Sequence, residues 1–479
     1  MSPSAQHQLF LGSFVHSIAL GQLEYLHSTA ICVDSSGKIV AVQRDCDRST
    51  AEQSLLPRLG WDLNHVTVTE SGQGQFFFPG FIDTHVHAPQ YPNVGIFGKS
   101  TLLDWLNTYT FPMESSMSCL KKARRVYSQC VRRSLAHGTT TASYFATIHV
   151  PATNLLADLC LSLGQRAFVG RVCMDRLGPD HYLDESAEQS VSRTRECIAH
   201  IQAIDPEYAL VSPIITPRFA PSCTGPSLAA LGKLQKETNL PVQTHISENN
   251  NEISLVKEQF PGIKTYTDVY DQHDLLTDKT ILAHAVHLSE GEADLISQRQ
   301  SKVAHCPCSN SSITSGEARV RWLLGKGISV GLGTDMSGGY SPSILEAARL
   351  ASLVSNHLAM PGHRWPEGTS DEDRDKVKLS VEEVLHLATR GGAEVVGLQD
   401  RIGGFDVGKE WDAQLIRLNV VPDVDDEASG SSDNILEGGN VDVFGWESWE
   451  ERMAKWLFNG DDRNTVKVWV KGRLVHARR

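Results

Sequence analysis

Two histidines, His85 and His87, occupy alternate positions at the end of the strand-like segment 81–87. In an extended strand, alternate side chains share one face, so both imidazoles are expected on the same side. Two neutral imidazoles on one face can hold a metal ion. An isolated His-X-His pair is also consistent with an ordinary polar strand end, so the choice between these interpretations depends on residues elsewhere in the chain.

Three later segments also end in residue types that bind metals, each after a short apolar run. They carry His245 with Glu248, His284, and Asp335. Imidazoles and a carboxylate form a suitable ligand set for zinc, with one position left open for water. Taken separately, Asp335 is also a candidate helix N-cap, and Glu248 a candidate residue of a helix's first turn. Together with the histidine pair, these segments predict a metal site with Asp335 as a ligand.

Strand-like and helix-like segments alternate through the central part of the chain. The predicted strands are 75–87, 139–145, 166–174, 209–219, 241–247, 280–288, 302–308 and 328–335. The predicted helices are 117–136, 186–204, 227–237, 291–298, 317–324 and 343–358. This alternation favours an α/β fold, a (β/α)₈ TIM barrel, with a doubly wound open sheet as the alternative. In a barrel, the metal-binding residues would meet at the C-terminal strand ends.

Both ends of the chain are rich in short β-runs. These runs are 9–14, 26–33, 39–42 and 66–70 at one end, and 413–418 and 466–475 at the other. We therefore predict a small β-sandwich domain built from both termini, with residues 1–78 as its N-terminal part, 79–400 as the barrel and 401–479 as its C-terminal part. Segment 422–440 is rich in Asp, Ser and Gly, and predicts a flexible acidic insertion.

The composition is that of a globular protein and argues against several classes of partner. The chain of 479 residues is 41% hydrophobic, and its net charge is −13. An acidic surface repels nucleic acid unless basic residues are segregated in a patch. The sequence has no apolar stretch of membrane-spanning length and no basic region typical of a signal peptide. We expect a cytoplasmic protein with no nucleic-acid and no membrane partner.

Several long segments resemble the amidohydrolase superfamily of metal-dependent hydrolases and, within it, the guanine deaminases. They are Pro79-Gly-Phe-Ile-Asp-Thr-His-Val-His-Ala-Pro-Gln-Tyr91, Ile215-Thr-Pro-Arg-Phe-Ala-Pro-Ser222, Thr244-His-Ile-Ser-Glu-Asn249 and Thr334-Asp335-Met-Ser-Gly338. The resemblance covers roughly residues 70–415 and is specific because its tracts are long. It implies hydrolysis of guanine, a small-molecule purine, to xanthine and ammonia in purine catabolism, one Zn²⁺ per subunit, and a homodimer.

The same resemblance assigns roles to individual residues. It implies a metal site formed by His85, His87, His245, His284 and Asp335. It implies catalytic roles for Glu248, Asp335 and His284, with His284 either a ligand or the group that orients the attacking water. Contacts to substrate are implied for His87, Gln90, Arg218, Phe219, His245, Glu248 and Asp335.

Three of the substrate contacts have a specific chemical basis. The Gln90 amide offers a donor and an acceptor to a purine edge, Arg218 donates to an exocyclic carbonyl, and Phe219 stacks on the ring. Taken alone, an Arg or a Phe at a strand end more often packs or forms an ion pair. Segment 103–112 resembles the part of the family that covers the site.

Competing functions are limited by the same residues. Segment 209–219 lacks the lysine with which two-metal members of the superfamily bridge their ions, which favours one metal and deamination. The alternative within the superfamily is deamination or dechlorination of another aminated heterocycle, such as a triazine, a pterin or an adenosine derivative. A non-catalytic scaffold is disfavoured because the chain keeps every ligand position.

Overall fold

The structure, a computed structural model, describes residues 6–362, 365–366, 368–422 and 439–478. The predicted acidic insertion at 422–440 falls almost entirely outside these residues. The described residues form a barrel of alternating strands and helices, together with a sheet that contains strands from both ends of the chain.

The barrel consists of parallel strands in the order in which they occur along the chain. Its strands are β6 (Phe81–His87), β7 (Thr139–Phe145), β8 (Arg166–Gly170) continued by β9 (Val172–Cys173), β10 (Val211–Pro213) continued by β11 (Thr216–Pro217), β12 (Val242–Ile246), β13 (Thr280–His284), β14 (Lys302–His305) and β15 (Val330–Leu332). Ile215 forms a parallel bridge with Val242, and the Asp335 amide donates to the His85 carbonyl at 2.9 Å. These two links join the two halves of the barrel, so the predicted α/β barrel fold is confirmed.

Helices connect and cover the strands. They are α1 (Arg48–Thr50), α2 (Leu56–Arg58), α3 (Leu102–Trp105), α4 (Phe111–Ser115), α5 (Leu120–Ala136), α6 (Val150–Leu163), α7 (Ala187–Ile204), α8 (Gly225–Thr238), α9 (Asn250–Gln259), α10 (Tyr266–Gln272), α11 (Glu290–Gln298), α12 (Pro307–Ser312), α13 (Val320–Gly325), α14 (Ile344–Ala359), α15 (Asp371–Asp375), α16 (Val381–Ala388), α17 (Arg390–Val395) and α18 (Trp449–Asn459). Across the described ranges, none of them is long and apolar enough to cross a membrane.

The second sheet contains strands from both termini. Its strands are β1 (His7–Ala19), β2 (Gln22–Val33), β3 (Ile39–Gln43), β4 (Val66–Glu70), β5 (Gln75–Pro79), β16 (Ala413–Arg417), β19 (Thr465–Val470) and β20 (Arg473–Ala477); a separate short pair is β17 (Asn419–Val420) with β18 (Asp442–Val443). Phe10 on β1 and Trp469 on β19 are separated by β5 and β16, which in a flat sheet is about 14 Å. Their ring centroids are only 5.3 Å apart, so the sheet curls over its own core.

The barrel and the curled sheet are tied together beneath β6. Strand β5 passes into β6 through Gly80, where a Cβ atom would come within 2.2 Å of Thr140. The buried guanidinium of Arg166 on β8 donates to Glu410 at 2.5 Å and to Asp412 at 3.1 Å. Trp456 of α18 stacks on Phe81 with ring centroids 5.9 Å apart. The base of β6 is therefore held by close packing and a buried ion pair.

Candidate active site

The side chains of four residues converge at the C-terminal end of the barrel. The ligand atoms of His85, His87, His245 and Asp335 all lie within 4.8 Å of one another. His87 Nε2 lies 3.2 Å from both His85 Nε2 and His245 Nε2. Asp335 Oδ1 lies 3.1 Å from His85 Nε2 and 3.3 Å from His87 Nε2. The structure thus brings together residues that are up to 250 positions apart in the chain.

These separations fit a shared metal ion. In a tetrahedral site with metal–nitrogen distances of about 2.05 Å, neighbouring ligand atoms are about 3.3 Å apart. Hydrogen bonding does not account for the cluster, because a neutral imidazole has only one N–H. The proton of His245 is on Nδ1, which donates a hydrogen bond to the Arg218 carbonyl at 2.5 Å. The Nε2 atom therefore carries no proton and can bind a metal ion. The donor set is the nitrogen and oxygen set that zinc prefers.

The ends of the barrel strands direct these groups. Alternation along β6 puts His85 and His87 on one face, and His245 lies near the end of β12. His284 is the last residue of β13 and Asp335 follows β15; their φ angles are 73° and 44°. Left-handed backbone at a non-glycine residue costs about 1–3 kcal/mol, so the surrounding packing must hold both residues in place.

Burial sets the charge of the converging groups. It lowers the pKa of His85 to about 4, although the neighbouring Asp335 acts in the opposite direction. It also lowers the pKa of His245 well below its ordinary value, and the other histidines add to that effect. Burial alone would raise the pKa of Asp335, but the adjacent imidazoles of His85 and His87 hold it well below its usual value. Neutral imidazoles and an ionised carboxylate are the forms that bind metals.

Glu248 and His284 form a second group beside the first. Glu248 Oε2 lies 3.4 Å from His284 Nε2, and Ser315 Oγ donates to Glu248 Oε1 at 2.8 Å. His284 Nδ1 donates to Asn310 Oδ1 at 2.9 Å, and its Nε2 lies 3.9 Å from Asp335 Oδ2. Burial raises the pKa of Glu248 to about 7, a value suited to moving protons at neutral pH.

Asp335 does not cap a helix and Glu248 does not lie in a helix's first turn, the alternatives that the sequence left open. Helix α14 is capped by Ser343, whose side chain accepts from the Glu346 amide. Helix α9 is capped by Asn249, which accepts from the Asn251 amide. The side chains of Glu248 and Asp335 are instead buried against the histidines, with exposed fractions of 3% and 9%.

A small cavity opens beside these residues. It is lined by His87, Gln90, Leu102, Trp105, Leu106, Arg218, Phe219, His245, Glu248, His284, Ile313 and Asp335. Every residue to which the sequence assigned a metal, catalytic or substrate role therefore lines the cavity, except His85, which belongs to the group of four ligands. Residues 102–106 supply an apolar cover, consistent with the position expected for segment 103–112.

Three further residues support the site and were not found from the sequence. The Phe145 ring lies against His85, His87 and His245, with centroids 4.7–4.9 Å apart. Asp83 accepts hydrogen bonds from the amide and hydroxyl of Thr334, and so fixes the residue before Asp335. Glu114 pairs with Arg218. Asp83 lies on β6 two positions before His85, and a carboxylate within that apolar strand was a usable signal.

Comparison with known proteins places this geometry in a family. Residues 76–475 match the model of the Amidohydrolase family. The chain is 48% identical to a probable guanine deaminase of Schizosaccharomyces pombe, over 98% of this chain and 83% of that protein. It is 40% identical to guanine deaminase of Homo sapiens, over 98% and 96% of the two chains. The crystal structure of guanine deaminase from C. acetobutylicum, with guanine bound in its active site, superposes with a TM-score of 0.82 at 30% identity, over 98% of this chain and 100% of that one. The chain belongs to the amidohydrolase family and, within it, groups with the guanine deaminases.

Proposed function

We propose that this protein is a zinc-dependent guanine deaminase, which hydrolyses guanine to xanthine and ammonia in purine catabolism. The observation that carries the proposal is the convergence of three imidazoles and two carboxylates at one end of the barrel, beside a cavity that Gln90, Arg218 and Phe219 also line. The relatives named above, which are similar over nearly the whole chain, support the same activity.

We assign one zinc ion per subunit to His85, His87, His245 and Asp335. When bound, such an ion supplies Lewis acidity that lowers the pKa of water toward neutrality. His284 is outside the group of four closest ligand atoms, so we assign it to orienting the attacking water, with direct ligation as the alternative role. Its Nδ1 bond to Asn310 turns Nε2 toward Glu248 and Asp335.

Two carboxylates, Asp335 and Glu248, are assigned to the proton transfers of the reaction. Asp335 is an anion beside the imidazoles and is placed to accept a proton from the attacking water. Glu248 has a pKa of about 7, so it can deliver a proton to a purine ring nitrogen as water adds to the amidine carbon. The proton accepted by Asp335 then passes to the amino group, which departs as ammonia, and the remaining hydroxyl proton returns to Glu248 as the carbonyl of xanthine forms.

Substrate recognition is assigned to the opposite wall of the cavity. Arg218 is placed to donate to the exocyclic carbonyl of guanine, Gln90 to contact the polar edge, and Phe219 to stack on the ring. His87, His245, Glu248 and Asp335 also line the cavity and would surround the amino group that is lost. A neutral, planar heterocycle suits this combination of ring-stacking and donor groups.

The direct test is turnover of guanine by the purified protein. We expect xanthine and ammonia in equal amounts, loss of activity after chelation, and recovery after zinc is restored. Absence of xanthine from a sample shown to contain zinc would refute the substrate assignment. A panel with a triazine, a pterin and adenosine separates the remaining heterocycle deaminases, and a protein that binds no zinc would favour the scaffold alternative.

We propose a cytoplasmic homodimer, in keeping with the guanine deaminases it resembles. A net charge of −13 disfavours association with nucleic acid. Light scattering on the purified protein tests the dimer, because a monomer mass at micromolar concentration would contradict it. Cell fractionation followed by detection of the chain tests the location.

A further inference from the structure

Glu114 of α4 lies behind the cavity and gathers residues from three other parts of the chain. Its Oε1 accepts from Gln90 Nε2 at 2.7 Å and from Arg218 Nη2 at 3.1 Å. Its Oε2 accepts from Arg218 Nη1 at 2.6 Å and from Tyr182 Oη at 2.9 Å. A carboxylate has about four acceptor sites, and all of them are occupied here. Glu114 therefore has no free acceptor site for a ligand.

The carboxylate determines what its partners present to the cavity. It can only accept, so the amide of Gln90 must turn its NH₂ group toward Glu114. The Gln90 Oε1 atom then faces the Ser337 amide, at 3.4 Å. The forked pairing fixes the plane of Arg218, whose Cζ atom lies over the Phe111 ring, 5.2 Å from its centroid. The remaining N–H groups of Arg218 are left for the cavity.

The pair also keeps the site electrically balanced. Arg218 and Glu114 are completely buried, with side-chain exposures of 2% and 0%. Burial would lower the pKa of Arg218, but Glu114 raises it above its ordinary value. Burial would raise the pKa of Glu114, but Arg218 lowers it below its ordinary value. Both groups therefore remain charged, and a neutral purine can enter without meeting an uncompensated charge.

We propose that Glu114 is a positioning residue for substrate specificity: it holds Arg218 and Gln90 in the orientations that recognise the carbonyl-bearing edge of the purine. This inference rests on the proposed function, because it assumes that a purine occupies the cavity. Glu114 acts through its two partners and does not line the cavity itself.

The change Glu114→Gln tests the role because the two side chains have the same shape. Each oxygen of Glu114 accepts one Arg218 N–H, so the NH₂ group of a glutamine must face a guanidinium N–H whichever way it turns. One half of the fork is lost in either orientation. A hydrogen bond from a charged donor contributes enough that we expect binding of a carbonyl-bearing purine to weaken by about tenfold to a hundredfold.

The informative readout is a ratio of two affinities. Hypoxanthine carries the ring carbonyl of guanine but lacks the amino group that is hydrolysed, and purine lacks both. Inhibition constants against guanine turnover should show hypoxanthine binding at least about tenfold tighter than purine in the wild-type enzyme. In Glu114→Gln this preference should fall by about tenfold or more, while zinc content remains one per chain and KM for guanine rises more than kcat falls.

A matched control separates positioning from general destabilisation. Glu410→Gln makes the same substitution in the buried pair with Arg166, at the other end of the barrel. We expect it to lower the melting temperature without changing the hypoxanthine-to-purine ratio. If Glu114→Gln fails to fold, Tyr182→Phe removes one donor from Glu114 and should reduce the ratio by about twofold to tenfold.

The outcomes distinguish this inference from the function on which it rests. A wild-type enzyme without guanine turnover contradicts the proposed function. A wild-type enzyme that deaminates guanine but binds hypoxanthine and purine equally contradicts recognition by Arg218. Active variants at Glu114 or Tyr182 that retain the full wild-type ratio overturn the role of Glu114.

Discussion

Replacing Glu248 by glutamine removes the group assigned to proton transfer while keeping its volume. Ser315 Oγ, which donates to Glu248 Oε1 at 2.8 Å, can donate equally to an amide oxygen. The side chain is buried and its pKa of about 7 is close to neutrality, so the carboxyl group both gives up and takes back protons readily. An amide of the same shape does neither.

The expected loss is large because this pKa is well matched to the reaction. General acid–base catalysis contributes about 10² to 10⁴ in rate, and a group that titrates near the working pH belongs in the upper half of that range. We expect kcat for guanine to fall by about 10³ to 10⁴, or about 4–5 kcal/mol of transition-state stabilisation. KM should change by less than about fivefold because the amide still fills the same space.

The assay follows xanthine formation alongside zinc content. Glu248→Gln should retain one zinc per chain, since Glu248 is not among the four closest ligand atoms. Glu292→Gln provides a matched control, because Glu292 is a buried carboxylate that accepts from Ser289 at the start of α11 and does not line the cavity. It should turn over guanine within about twofold of the wild type. A zinc-loaded Glu248→Gln enzyme with more than about a tenth of wild-type kcat would refute the assigned role.

Three other changes test separate parts of the structure. His87→Ala should weaken zinc binding by more than about a hundredfold in competition with a chelating dye, because His87 Nε2 adjoins three other ligand atoms. Phe219→Ala should raise KM for guanine by about fivefold to a hundredfold with a smaller change in kcat, because stacking contributes about 1–3 kcal/mol. His386 is remote from the cavity, and burial lowers its pKa from 6.5 to about 4. Because the pKa of His386 is lower in the folded than in the unfolded protein, the contribution of the neutral imidazole to folding stability is complete above pH 6.5. That contribution is lost as pH falls toward 4. Urea unfolding at pH 7 and pH 4.5 should therefore show a smaller acid-induced loss of stability for His386→Asn than for the wild type.

Strand bounds were predicted correctly where the backbone stays extended along the whole apolar segment. The predicted strand 139–145 has the same bounds as β7. The predicted strand 280–288 ends early, at His284, where φ is 73°. The predicted strand 209–219 is divided into β10 and β11. The backbone turns inward at these ends to present side chains to the cavity, and apolar patterning carries no information about a turn of that kind.

Helix α6 was missed for a different reason. Helix α6, Val150–Leu163, is rich in apolar residues on most of its surface because α5, α7 and the barrel strands surround it. A helix buried on most sides lacks the polar stripe that reveals a 3.6-residue period. Its start is also obscured, since Pro151 occupies the first turn and His149 makes no side-chain cap.

Some site residues could be predicted from the sequence and others could not. The metal-binding residues could be predicted from the sequence because histidine and aspartate are unusual at the ends of apolar strands. Glu114 could not, since its partner Arg218 is 104 residues away and one glutamate in a helix has no distinguishing local context. Long-range pairing is set by the fold, and the sequence indicates it only after the fold is known.

The position of the ligands follows from the closure of the barrel. His85 and His87 come from its first strand, and Asp335 follows its last, so they become neighbours only when β6 meets β15. The amide of Asp335 donates to the His85 carbonyl across this junction, and the amide of His87 donates to the Met336 carbonyl at 3.1 Å. At Gly333 a Cβ atom would lie 2.8 Å from His85 Cβ, so only glycine allows the strands to approach this closely. A metal ion that binds ligands from both strands favours the closed barrel over any open form by the free energy of its binding. The chemistry of the site and the stability of this junction therefore depend on the same bonds.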